Sequence, residues 1–300
     1  MDELTAAGIT DPSLRASYAE CKRLNALHGK TYFLATLLLP KAKRPFVHAL
    51  YGFARFADEI VDDLASQLSI EEKAQALSKW GDNVLKDLRR GSSEDLVGGA
   101  LIDTVNRFSI PHEYFEAFLH SMTMDLTIQE YETFDDLMEY VYGSAAVIGL
   151  EMAPILGFSD VAALESAKKL GIAFQLANFI RDVDEDLDRG RIYLPIQELA
   201  LHGVTREMLE SRILTPQIID ALKFQIARVR ELQAQAAPGI ALLDASSRPC
   251  IEAASTLYCG IVDEVEKIGY DIFNRRAKTS TARRLRVASA AFLKRQFVSS

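Results

Sequence analysis

Three cysteines, a single tryptophan and the lack of any apolar run of eighteen residues already exclude several classes for this 300-residue chain. Cys21, Cys250 and Cys259 form no CxxC pair and no metal-ligand spacing. They support neither a disulfide framework nor a zinc site, and fit packing residues of a reducing cytosol. Without a long apolar run no transmembrane helix is expected. The opening MDELTAAGITDPSL is acidic and has no apolar h-region, so no signal peptide is expected either. GxxxxGK[ST] and GxGxxG are absent, which removes the usual cradles for nucleotide phosphates. The five histidines fall in no HExxH spacing and no serine sits in a GxSxG elbow. Positive charge is short overall: 34 Lys and Arg stand against 42 Asp and Glu, net −8, so nucleic acid is not an expected partner.

What is present is hydrophobic and helical. Apolar residues make up 49% of the chain and charged ones 25%, enough for a sizeable core with a solvated surface. Helical spacing recurs almost everywhere, and no Asn-Gly or Asp-Gly turn separates β-branched runs. The spacing predicts a helix capped by Ser13 and running to about Leu27, and a long one from Pro40 and Pro45 to about Ser66. Ser69 with Glu72 is a capping box for the next, ending near Gly91. Pro111 begins another. Thr133 or Asp135 caps one that carries Tyr140, Tyr142 and Gly149 and ends by Pro154 and Gly157. Ser159 opens a segment to about Asp188, and Pro238–Gly239 and Arg248–Pro249 break the remainder. With no repeat and no long linker, residues 1–300 read as one all-α domain. The densest basic stretch runs from Arg275 and Arg276 to Lys294 and Arg295, a solvated helical face or a contact for anionic lipid or substrate.

Two acidic steps interrupt otherwise apolar segments, Asp58 and Asp62 in ARFADEIVDD, and Asn178, Asp182 and Asp186 in QLANFIRDVDEDLDRGR. A carboxylate costs several kcal/mol to bury unless something compensates it, so acids in such segments need a reason. At ~100° per residue, Tyr51, Arg55, Asp58 and Asp62 fall within ~60° of one another, while Glu59 and Asp63 point elsewhere. Gln175, Asn178, Asp182 and Asp186 fall within ~80°, with Gly171 on the same side.

A structural account pairs Arg55 with Asp58 or Asp62, and Arg181 with a neighbouring acid. The functional account is electrostatic. Mg²⁺, or Mn²⁺ in its place, prefers oxygen donors and usually takes only one or two carboxylates beside waters and substrate phosphates. Two facing acidic helices therefore suit a diphosphate held through cations, with Asp58, Asp62, Asn178, Asp182 and Asp186 as metal ligands. Arg55, Arg181, Arg189 and Arg191 then meet phosphate oxygens. A departing diphosphate gains charge, which metals and arginines stabilise, so the implied step is ionisation of an allylic diphosphate.

The stretches HGKTYFLATLLLPKAKRPFVHALYGFARFADEIVDD, YGSAAVIGLEMAPILG, FQLANFIRDVDEDLDRGRIYLP and SRPCIEAASTLYCGIVDEVEKIGYDIFNRRA resemble the squalene/phytoene synthase family, its bacterial phytoene-forming branch most of all, over about residues 14 to 295. The resemblance implies an all-helical class I isoprenoid synthase fold around a central apolar cavity. It implies a Mg²⁺-dependent, head-to-head (1′-1) condensation of two geranylgeranyl diphosphates through prephytoene diphosphate to phytoene, with no nicotinamide cofactor. Farnesyl diphosphate, giving dehydrosqualene, presqualene diphosphate or squalene, is the alternative within the same family.

Carried onto this sequence, the resemblance gives Asp58, Asp62 and Asp182 catalytic weight as metal carriers and places Tyr140 near the reacting carbons. It assigns His28, Thr31, Tyr51, Arg55, Gln175, Arg181, Tyr193, Tyr258 and Arg275 (or Arg276) to substrate and diphosphate. HGKTY departs from the HSKSF of C30 relatives, leaving Thr31 as the hydroxyl, and VDEDLDRGR is more acidic than the usual VGEDARRGR. Phe33, Leu37, Ile148, Leu150, Phe174 and Leu176 are candidate walls of an isoprenoid tunnel. The small residues Gly143, Ser144, Ala145, Ala146 and Gly149 suit either close helix packing or a wall thinned for a C20 chain. Head-to-tail elongases and terpene cyclases typically carry DDxxD, which neither acidic segment contains. A cytoplasmic enzyme that associates peripherally with the membrane to release a lipid product is the expected setting.

Overall fold

The computed structural model describes residues 1–62 and 68–298, and only the backbone of Lys30, Thr31, Asp62 and residues 295–298. A short α1 (Glu3–Ala6) leads to α2 (Pro12–His28), α3 (Lys30–Thr36), α4 (Arg44–Asp62), α5 (Ile70–Arg90), α6 (Leu96–Phe108) and α7 (His112–Thr127). Next come α8 (Phe134–Val141), a π-helical turn over Tyr142–Ala146, and α9 (Val147–Leu156), joined without a break in helical backbone angles. α10 (Ala162–Arg181), α11 (Val183–Asp188), α12 (Ile196–Leu201), α13 (Arg206–Glu210) and α14 (Pro216–Ile240) follow, then α15 (Arg248–Tyr258), α16 (Ile261–Lys267) and α17 (Thr281–Val298). Among the described residues the only β pairing is two isolated bridges, Glu130 with Ile192 and Phe158 with Leu243. The all-helical expectation holds.

Local chemistry sets the boundaries. The capping box at α5 forms as expected: Ser69 accepts from the Glu72 N–H at 3.2 Å while the Glu72 carboxylate accepts from the Ser69 N–H at 2.7 Å. Gly91 ends that helix in the left-handed region at φ 76°. Thr133 and Asp136 make a second box at α8. Three boundaries differ from the sequence reading. Asp11, not Ser13, caps α2, because Pro12 occupies the first helical position, where a missing N–H costs nothing. Pro238 lies inside α14, two residues from its end, where one lost backbone bond is tolerated. The segment to Asp188 is two helices, since Asp182 leaves helical geometry at φ −100°, ψ 13°.

Burial follows the helical stripe. On α4, Leu50, Phe53, Ala57 and Val61 are buried, and Phe53 stacks on Trp80 at 5.4 Å and meets Phe115 edge-on at 5.4 Å. This leaves Tyr51 and Asp58 on the other side. One apolar cluster gathers α2, α4, α5, α6 and α7; a second gathers α8, α10, α14 and α16. α10 packs along α14 and against α9, so its polar edge looks toward α4 across the gap between the clusters.

The small-residue stripe packs closely and also forms a wall. A Cβ on Gly143 would stand 2.1 Å from the Ala117 carbonyl oxygen, and one on Gly149 2.3 Å from that of Ala167. Ser144, Ala145 and Gly149 nonetheless line an apolar cavity.

Glu151 on α9 is fully buried and neither carboxylate oxygen has a hydrogen-bond partner. Burial pushes its pKa well above the usual carboxylate range. An acid whose folded pKa is raised stabilises the fold most below its unfolded value near 4.5 and loses that contribution as pH rises from there toward the folded value. Glu151→Leu is therefore expected to raise stability at pH 7.5 by about 1–3 kcal/mol, and to flatten the decline of stability with pH above 4.5. Urea titrations of both proteins across pH 5 to about 8.5 check this. A destabilised Glu151→Leu protein would mean the carboxyl has a stabilising role.

Candidate active site

Seven helices (α3, α4 and α7–α11), the π turn and a pinned loop build a polar chamber of about 490 Å³. α4 supplies Tyr51 and Asp58. α10 supplies Gln175, Asn178 and Arg181, the joint supplies Asp182, and α11 supplies Asp186. Although the helix breaks at Asp182, the Asp182 N–H bonds the Asn178 carbonyl at 2.9 Å and the Asp186 N–H bonds that of Asp182 at 2.8 Å. The four-residue step survives the break, so all three side chains line one wall. Phe118, Met122 and Asp125 of α7 and Tyr140 of α8 add to the lining. The loop after α11 adds Arg189, Arg191 and Tyr193, held by the Glu130–Ile192 bridge and an Ile192 N–H to Gln129 carbonyl bond of 2.7 Å.

The chamber is electrostatically tense. Asp186 is buried, and burial with Asp182 nearby pushes its pKa up to about 7, against the pull of Arg189 and Arg191. Asp182 accepts a 2.7 Å bond from the Arg181 Nε and faces Arg276 at 3.0 Å. Burial lowers the Arg181 pKa, but the hydrogen bonds and charge of Asp182 outweigh it and the net shift is upward. Asn178 Oδ1 is buried with no donor.

Asp125 was not singled out from sequence. It accepts 2.7 Å bonds from the hydroxyls of both Tyr140 and Tyr193, and its carbonyl accepts from Arg191 at 2.8 Å. Burial raises the pKa of both tyrosines well above the ordinary phenol value, with the Asp125 charge adding to it. Their rings form an aromatic wall with Tyr131 and Phe179; Tyr193 lies 4.2 Å from Phe179 at 7°. A lone acid in the apolar stretch SMTMDLTI was the available signal.

Two further cavities share walls with the chamber. An apolar tunnel of about 250 Å³ shares Tyr32, Ser144, Ile148 and Gln175 with it and runs between α9, α10, α14 and α15. A lobe of about 620 Å³ shares Tyr51, Asp58, Asn178 and Arg181, and adds His28, Arg276, Lys278 and Arg284. Tyr258 lies where lobe and tunnel meet and stacks on Phe174 at 4.8 Å.

Several sequence-predicted residues fall elsewhere. Arg55 does not line the chamber; its Nε bonds Glu59 at 3.1 Å because the guanidinium bends along its own helix to the i+4 acid. His28 lines the lobe, 3.6 Å from the same Glu59. Arg275 lines none of these cavities, whereas Arg276 does. The side chains of Asp62 and Thr31 lie outside the described residues. Of the expected tunnel walls, Ile148 and Phe174 line the cavity; Leu150 and Leu176 are buried in helix packing, and Phe33 stacks on His48 at 5.6 Å.

Among the described residues no three His, Cys, Asp or Glu side chains converge into a self-sufficient cation cage. The donors that do face the chamber are oxygens, and the unpartnered Asn178 Oδ1 is a neutral one in the midst of Asp58, Asp182 and Asp186. Such a set fits hard cations that complete their shells with phosphate oxygens.

An all-helical shell around a polar chamber that borders an apolar tunnel is the arrangement of a class I isoprenoid synthase fold. The chain belongs to the squalene/phytoene synthase family, whose model matches residues 26–283. It is 34% identical to a 15-cis-phytoene synthase of Synechococcus elongatus over 94% of both chains. A chloroplastic phytoene synthase 3 of Zea mays is 37% identical over 97% of this chain and 68% of that one. Among solved structures, a dehydrosqualene synthase in complex with ligand is similar with a TM-score of 0.86 and 26% identity, covering all of both chains. A squalene synthase from Alicyclobacillus acidocaldarius shares the fold at a TM-score of 0.80 and 24% identity, over 88% of this chain and 98% of that one.

Proposed function

We infer that this protein is a prenyltransferase that joins two geranylgeranyl diphosphates head to head, through prephytoene diphosphate, to give phytoene and two diphosphates. The carrying observation is that the chamber shares lining residues with both a basic lobe and an apolar tunnel, which offers room for two diphosphate ends and a dry path for a prenyl chain. The near full-length likeness to proteins named phytoene synthase favours C20 substrates over C15.

The residues support the following roles. Asp58, Asn178, Asp182 and Asp186, with Asp62 beside them in sequence, would hold Mg²⁺ ions. Bound there, the ions would supply charge that draws off the leaving diphosphate. Arg181, Arg189 and Arg191 face the same space and suit the phosphate oxygens; Arg276 and Lys278 suit a second diphosphate in the lobe. Tyr140 and Tyr193, kept as neutral phenols, present aromatic faces that steady a carbocation without trapping it. Phytoene's central double bond arises by proton loss, so no reductant and no nicotinamide are needed. One helical domain accounts for the site, since α10 carries it between both clusters. No helix among the described residues is long and apolar enough to cross a membrane. The setting we propose is a cytoplasmic protein touching the membrane peripherally for product release.

Incubation with geranylgeranyl or farnesyl diphosphate and Mg²⁺, with and without NADPH, tests the reading. The expected outcome is a C40 hydrocarbon from the C20 substrate, indifferent to NADPH. A C30 hydrocarbon from farnesyl diphosphate and no phytoene would overturn the C20 assignment.

A further inference from the structure

One polar atom at the neck between chamber and tunnel has no role in the account above. Ser144 lines both cavities, along with Tyr32, Ile148 and Gln175, and its hydroxyl oxygen is buried with no hydrogen-bond partner. A serine inside a helix ordinarily bonds back to the carbonyl four residues earlier. Here that carbonyl, of Tyr140, already accepts a 2.8 Å bond from Ser121 Oγ. The π-helical turn over Tyr142–Ala146 carries Ser144 where the rod borders the neck. Its register is fixed from behind, because Gly143 abuts the Ala117 carbonyl and Ser121 Oγ so closely that a Cβ would stand 2.1–2.2 Å from them. A buried hydroxyl without a partner costs stability, and π turns of this kind concentrate at functional sites.

A prenyl diphosphate changes from charged to apolar at one point, the bond between C1 and the α-phosphate ester oxygen. A molecule with its diphosphate in the chamber and its chain in the tunnel puts that bond at the neck. We propose that Ser144 is a positioning residue whose hydroxyl donates a hydrogen bond to an α-phosphate oxygen of the prenyl diphosphate threaded into the tunnel, fixing C1 at the neck. The assignment rests on the diphosphate reading of the chamber. Charge grows on the α-phosphate oxygens as the C1–O bond breaks, so the bond strengthens toward the transition state and acts on kcat more than on KM.

The test compares the parent enzyme with S144A and S144T on geranylgeranyl diphosphate and Mg²⁺, recording kcat, KM and the thermal midpoint. S144A is expected to lose about tenfold to a hundredfold in kcat, the range for a hydrogen bond to a charged group, with KM changed by less than about threefold. Its midpoint should stay at or above the parent's, and S144T should recover most of the rate. An S144A enzyme within twofold of the parent kcat overturns the assignment alone. So does a loss of rate that follows a falling midpoint and is not rescued by threonine, which is the mark of a packing role. A parent that turns over no prenyl diphosphate overturns the diphosphate reading, and this assignment with it.

Discussion

Asp182→Ala is expected to lower turnover of geranylgeranyl diphosphate by about a thousandfold or more, some 4 kcal/mol of transition-state stabilisation. Asp182 stands at the joint of α10 and α11, lines the chamber wall and faces the guanidinium groups of Arg181 and Arg276. As a metal carrier its loss strips a ligand from a shared ion cluster, and leaves two arginines to compete with the cations for the diphosphate. As a partner of those arginines alone, its loss would cost stability and leave the folded fraction active. Steady-state rates against Mg²⁺ concentration, read beside the thermal midpoint, separate the two. The metal role requires a collapse of kcat in the protein that remains folded, beyond any fall in midpoint from the lost arginine pairing. An active, less stable Asp182→Ala protein would reduce the residue to an ion-pair partner. Asp58→Ala, on the facing helix, is expected to behave alike.

Gly143→Ala carries the largest expected effect on the fold. The added methyl would stand 2.1 Å from the Ala117 carbonyl oxygen and 2.2 Å from Ser121 Oγ. The serine can turn aside, but the carbonyl belongs to the backbone of α7 and cannot move without shifting that helix. About 3 kcal/mol of destabilisation is expected, at the upper end for overpacking one methyl. Urea denaturation measures it. Because α7 also carries Asp125, the surviving folded protein should show a weakened Tyr140–Asp125–Tyr193 arrangement and reduced turnover. An unchanged midpoint would mean that the π turn adapts and that the contact does not fix its register.

How much of this was legible beforehand depends on how local each signal is. The all-helical fold, the capping box at Ser69 and the stop at Gly91 follow from neighbouring residues, and spacing shows them. The facing of Asp58 and Asn178 was readable in part, because an i,i+4 step marks a shared helical face whatever the tertiary structure. The break at Asp182 was not, since the two helices keep the same step across the joint. Asp125 escaped because its meaning lies in Tyr140 and Tyr193, which are 15 and 68 residues away in sequence. Arg55 differs from its register for the opposite reason. Its register places it beside Tyr51 and Asp58, yet a long flexible side chain follows its nearest acid, Glu59, rather than its Cα direction. The choice between Arg275 and Arg276 needed the path of the chain after α16, which periodicity does not give.

Head-to-head coupling of two prenyl diphosphates is the central claim, and the stoichiometry of the reaction tests it most directly. Geranylgeranyl diphosphate and Mg²⁺ alone should yield phytoene with two inorganic diphosphates released per hydrocarbon, and nothing when the metal is chelated. One diphosphate per product, with a C20 alcohol or a cyclised C20 hydrocarbon in place of the C40 chain, would contradict it.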